Sequence, residues 1–99
     1  MSRIHWKRII DDVQNQGCPP EILEQLLDAF ERTMARTATT LARKAWFDLS
    51  DFHDADTRGI ADFRLTMTRH SRSPDRDVWT GVFESGSKRL EILGSLEKV

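Results

Sequence analysis

An apolar stripe through the first half of the chain most constrains what it can fold into. Leu23, Leu27, Phe30, Met34, Ala38, Leu41 and Ala45 recur at a mean step close to 3.67 residues. That step fits a straight α-helix, at about 3.6 residues per turn, better than a left-handed coiled coil, at about 3.5. Ile22, Leu26 and Trp46 widen the stripe. Its charges are ordered as well, with Glu21, Glu24, Asp28 and Glu31 first and Arg32, Arg36, Arg43 and Lys44 last. Acid at the start and base at the end complement the helix dipole, and Asp28 with Arg32 makes a favourable i, i+4 pair. The pattern predicts a helix over residues 20–46, opened by Pro20, whose missing N–H is harmless in a first turn. Its weak point is Thr37 to Thr40, where β-branched residues lower helix propensity.

A shorter helix is expected ahead of it, over residues 3–16. Trp6, Ile9, Ile10 and Val13 fall at i, i+3, i+4 and i+7. Ser2 suits an N-cap, Gly17 a residue past the C-cap, and Pro19 and Pro20 stop continuation.

From Phe47 the periodicity changes. An acidic stretch holds Asp48, Asp51, Asp54 and Asp56 with His53 among them, and reads as a loop ending at Gly59. Ala61, Phe63, Leu65 and Met67 then alternate with Asp62, Arg64, Thr66 and Thr68, a strand with one wet face. Residues 78–83 are apolar on both faces, as in a central strand, and Ser85-Gly86 suits a tight hairpin turn. Three antiparallel strands are expected near 61–69, 77–84 and 88–93. The fold class is therefore α+β, with two N-terminal helices packed on a C-terminal three-stranded β-meander. It forms one domain over 1–99, helical in 1–47 and β in 60–99.

Composition limits the function classes. The formal net charge is −1, so no global field recruits nucleic acid. Cys18 is the single cysteine, which precludes an intrachain disulfide and suits a cytoplasmic location. No apolar run approaches a membrane span.

Residues 54–62 overlay part of an EF-hand loop through Asp54, Asp56, Gly59 and Asp62. Arg58 and Leu65 then stand where a ligand and the closing bidentate carboxylate belong. His53 has no second strong ligand to complete a transition-metal site. No metal and no cofactor is therefore expected. Without a nucleophile motif, a phosphate-binding glycine loop or paired catalytic carboxylates, no enzyme is expected either. Cys18, in the turn before the long helix, reads as a small buried residue.

One cluster stands out. Arg58, Arg64, Arg69, Arg72 and Arg76 gather around His70, with only Asp62 and Asp75 to offset them. Arg suits planar, bidentate recognition of carboxylate or phosphate. The bland reading is a solvated face that neutralises the acidic 48–56 loop. The functional reading is a partner-binding surface made by Arg64, Arg69, His70, Arg72 and Arg76. On that reading the chain is a small non-enzymatic binding or regulatory protein acting on a protein partner, such as an inhibitor or adaptor of phage or mobile-element type. The alternative is a nucleic-acid-binding regulator that uses the Arg58–Arg76 surface.

Overall fold

The computed structural model describes residues 6–37, 43–48 and 59–98. In chain order these form β1 (Trp6–Gln16), α1 (Pro20–Thr37), β2 (Lys44–Asp48), β3 (Arg64–Arg72), β4 (Arg76–Ser85) and β5 (Lys88–Lys98). The strands make one antiparallel sheet in the order β1-β5-β4-β3-β2, and α1 packs on one face of it against β4 and β5. The expected pair of helices on a three-stranded meander is thus corrected to one helix on a five-stranded sheet.

The first helix is replaced by the edge strand β1. Trp6, Ile9, Ile10 and Val13 do lie at helical spacing, but Ile and Val also favour strands. The competing pattern is hidden by a β-bulge between Ile10 and Asp12, which interrupts the period of two. Ten cross-strand positions with β5 then decide the matter, and no local propensity reports them. Gly17 does take a positive φ of 80°, but it follows a strand.

The long helix stops at Thr37, where the β-branched run begins. Lys44–Asp48, which includes the last part of the apolar stripe, becomes β2 and pairs with β3. Leu41 of the apolar stripe lies outside the described residues, as do His53 and the acidic residues 51, 54 and 56.

The C-terminal half follows its alternation. Phe63, Leu65 and Met67 are buried under the helix, while Arg64, Thr66 and Thr68 face the other way. β4 occupies the centre of the sheet, with Trp79 and Phe83 inward and Val78 and Val82 outward. Gly86, with φ 59°, opens the two-residue turn into β5, and a positive φ at that position fits a type II′ hairpin. The strands run longer than expected because β5 must pair with both β1 and β4.

The core is made by Leu26, Phe30 and Met34 of α1 against Leu65, Met67, Trp79, Phe83, Leu90, Ile92 and Leu96. Its centre is a lock. The Phe30 ring lies over Gly81 of β4 and Gly94 of β5. A Cβ on Gly81 would stand 2.6 Å from Phe30 Cε1, and one on Gly94 would stand 2.6 Å from Phe30 Cε2. The two glycines remove side chains from the middle of the sheet, and the helix fills that space with an aromatic ring. Farther along α1, the buried hydroxyls of Thr33 and Thr37 donate to the carbonyls of Ala29 and Thr33 at 2.7 and 2.8 Å, so burial leaves neither orphaned. Asp28 and Arg32 form the expected ion pair on the exposed side.

Gly81→Ala is expected to cost about 1–3 kcal/mol by overpacking against Phe30. Combining it with Phe30→Leu should recover part of that loss, which urea denaturation of the single and double variants would measure. Additive losses would show that Gly81 answers to something other than the ring.

Candidate binding face

The strands pair residue by residue, so the face turned away from α1 can be read as rows across the sheet. In the first row, Arg64 opposes Glu84, and Glu84 opposes Arg89. The second row runs Trp46, Thr66, Val82, Glu91, Gln14. The third runs Lys44, Thr68, Thr80, Leu93, Asp12. The fourth runs Ser71, Val78, Ser95, Ile9, and the last runs Arg76, Glu97, Lys7. Most of the charge therefore lies in the first and last rows; the rows between carry Trp, Thr, Val, Leu and Ile together with Glu91, Lys44 and Asp12, and Ser95 in the fourth row is buried.

No described element lies over this face. Trp46 is 64% exposed and Leu93 is 38% exposed. The Trp46 ring has the Lys44 ammonium 5.4 Å from its centroid, a cation–π arrangement that steadies the side chain in the open. Beside it is a shallow hollow of about 500 Å³, lined by Trp46, Asp62, Arg64, Thr66, Glu84 and the Ser85-Gly86 turn. The hollow offers an aromatic wall, one guanidinium and two carboxylates.

The five residues expected at a partner site do not form one patch. Arg64 is exposed on the open face, in the hollow. His70 is exposed at a bulge in β3 and shares a hydrogen bond with the Thr80 hydroxyl on the same face. Arg76 stands at the far end, half exposed, 3.8 Å from Asp11 and 3.6 Å from Glu97. It ties β4 to β5 and β1. The backbone of Arg72 lies in β3 opposite Asp77. Arg58 lies outside the described residues.

Arg69 is in the core. Its side chain is 5% exposed and lies 3.6 Å from Asp77, itself 3% exposed. Its guanidinium stacks on Trp79, 4.5 Å from the ring centroid, and Nη2 donates to the carbonyl of Thr37 at 3.0 Å. That carbonyl belongs to the last turn of α1, where the helix leaves acceptors unfilled and favours a cation. Arg69 thus pins the end of the helix to the sheet. The signal was legible: 63, 65, 67 and 69 share a parity, so Arg69 belongs with the inward residues. Trp46, which fitted the helical stripe in the sequence, stands exposed on β2 instead.

Among the described residues, no group of three or more His, Cys, Asp or Glu is placed to hold a metal ion. Cys18 is buried in the turn between β1 and α1. That turn is stapled by Asn15, whose side chain accepts from the Cys18 N–H and donates to its carbonyl, both at 3.0 Å. Desolvation pushes the thiol pKa up, against a smaller opposing effect of Lys88. The thiol therefore stays protonated at neutral pH, the opposite of an activated nucleophile. No described helix is long and apolar enough to cross a membrane. Comparison with protein-family models, with curated proteins and with solved structures finds no match.

Arg69→Met should destabilise by about 3–5 kcal/mol, because it leaves Asp77 buried without its counter-charge. Adding Asp77→Leu should return much of that loss. If Arg69→Met costs under about 1 kcal/mol in chemical denaturation, the buried pair is not holding the end of the helix.

Proposed function

We propose that this chain is a non-enzymatic binding protein that engages a protein partner through the open face of its sheet. The observation that carries the reading is Trp46, held on an edge strand with most of its surface in water. Large aromatics are among the commonest binding anchors, since they bury much area for little conformational entropy. Around Trp46 the face continues through Val82 and Leu93, which gain on burial, and through Thr66, Thr68 and Thr80, whose hydroxyls need hydrogen-bond partners when covered. Arg64, Asp62 and Glu84 at one end and His70 at the other can set the partner's orientation. This matches the common arrangement of an apolar centre with a polar rim.

The distribution of charge supports a protein partner over nucleic acid. Arg69 is withdrawn into the core, Arg76 lies beside Asp11 and Glu97, and Arg64 is set among carboxylates. A phosphate backbone needs a continuous basic track, and these rows alternate in sign. An inhibitor or adaptor would use such a face by covering a partner surface.

The test is affinity capture from nuclease-treated lysate, followed by titration of the captured protein. Trp46→Ala should weaken binding by about 2 kcal/mol, roughly thirtyfold, and Leu93→Ser should weaken it further. Reversing Glu21, Glu24 and Asp28 on the helix should leave binding unchanged. Capture that disappears with nuclease and falls log-linearly with salt would instead assign the face to nucleic acid. Loss only in the helix variant would move the site to α1.

A further inference from the structure

β1 lies at one edge of the sheet, and no described strand pairs with its outer side. An open edge of this length is a template for another strand, so its side chains indicate what it is built to meet. Lys7, Ile9 and Asp12 stand opposite Glu97, Ser95 and Leu93 of β5. Those three β5 residues are evenly spaced, and the register of β5 with β4 is unbroken. Lys7, Ile9 and Asp12 are therefore also evenly spaced, on the open face, with Ile9 at the centre. The bulge makes this so. Lys7 and Asp12 are five residues apart and would lie on opposite faces of a regular strand. The irregularity between Ile10 and Asp12 brings them onto one face. Lys7 and Asp12 are both exposed.

A strand that reads cation, isoleucine, anion at equal steps is complementary to itself in the antiparallel sense. We propose that β1 pairs with β1 of a second copy of this chain about a two-fold axis through Ile9. Each Lys7 then faces the other chain's Asp12, and the two Ile9 side chains meet at the axis. Arg8 of each chain falls opposite the bulge of the other, beside Asp11. A parallel pairing in register would set Lys7 on Lys7 and Asp12 on Asp12, and like charges directly opposite destabilise a sheet. The charges thus select the antiparallel arrangement. Edges protected against association usually carry charge or a bulge in a form that repels any strand; here both devices favour one partner and disfavour others. The contact is isologous and closes at two copies, as a two-fold interface must. It joins two five-stranded sheets edge to edge, with both helices on one side and both open faces on the other. The inference stands apart from the binding role of the open face, because it uses only the edge.

The test is sedimentation of the full chain at about 100 µM, a concentration suited to a modest interface. The wild-type chain should sediment at twice its 11.5 kDa mass. Lys7→Glu places two acids on Asp12, and Asp12→Lys places two bases on Lys7. Each variant alone should be at least tenfold weaker in dimerisation while keeping the wild-type circular dichroism spectrum; its melting temperature should fall modestly, since the stabilisation by dimerisation is lost and Lys7→Glu also sets an acid opposite Glu97. An equimolar mixture of the two should dimerise again, since each chain then supplies what the other lacks. The chain carrying both substitutions should restore a homodimer. A monomeric wild-type chain overturns the proposal, as does a dimer that all variants form equally, or a mixture of folded variants that stays monomeric. Disruption by Trp46→Ala with no effect of Lys7→Glu would place the contact on the open face instead, and would also overturn it.

Discussion

Everything in this fold depends on one helix covering the centre of a five-stranded sheet, and the closest approach in that contact is a single ring over two glycines. Phe30 seats where Gly81 and Gly94 leave the backbones of β4 and β5 bare. A helix resting on full-sized side chains at both positions would stand farther off, and Leu26 and Met34 would lose contact with the strands below. Close-packed interiors do not yield to such a gap. The large residues Trp79, Phe83, Leu90 and Ile92 surround the hollow, so volume missing at the glycines is restored one position away.

The second anchor is electrostatic. Arg69 reaches from β3 to the last turn of α1 while Asp77 balances its charge from β4. Burying an ion pair contributes little net stability, and its removal in halves is costly. Its effect is on geometry, because the guanidinium must meet a helix carbonyl, a carboxylate and an indole face at once. Phe30 sets the height of the helix over the sheet, and Arg69 holds Thr37, the last described helical residue, against β3.

One helix covers one face. The other face carries Trp46 at the β2 edge and a band of Thr, Val, Leu and Ile across the middle, with mixed charges at both ends. Shielding those groups within the chain would take a second layer, which the described residues do not supply. Among the described residues, α1 follows one edge strand and precedes the other, and no described element lies over this face or pairs with the outer side of β1.

Some of this was legible from residue order. Alternation located β3, since a strand with one wet face writes its period of two directly into the sequence, while a doubly apolar run located β4 and the Ser85-Gly86 turn placed β5 after it. The stripe from Leu23 to Met34 located the helix, whose described span ends at Thr37. The rest required the folded chain. β1 read as a helix because a bulge erased its alternation and because an edge strand is stabilised by its neighbour, eighty residues or so away along the chain in places. β2 read as the end of the helix because Ala45 and Trp46 fit either period. Clustering along the chain suggested that the arginines act together. Strand parity separates them, sending Arg69 inward and Arg64 outward, and register carries Arg76 to the opposite end. Local pattern determines which faces are wet or dry. Only tertiary pairing decides which strands meet, because the hydrogen bonds and buried area that choose a partner belong to two segments at once and are written in neither.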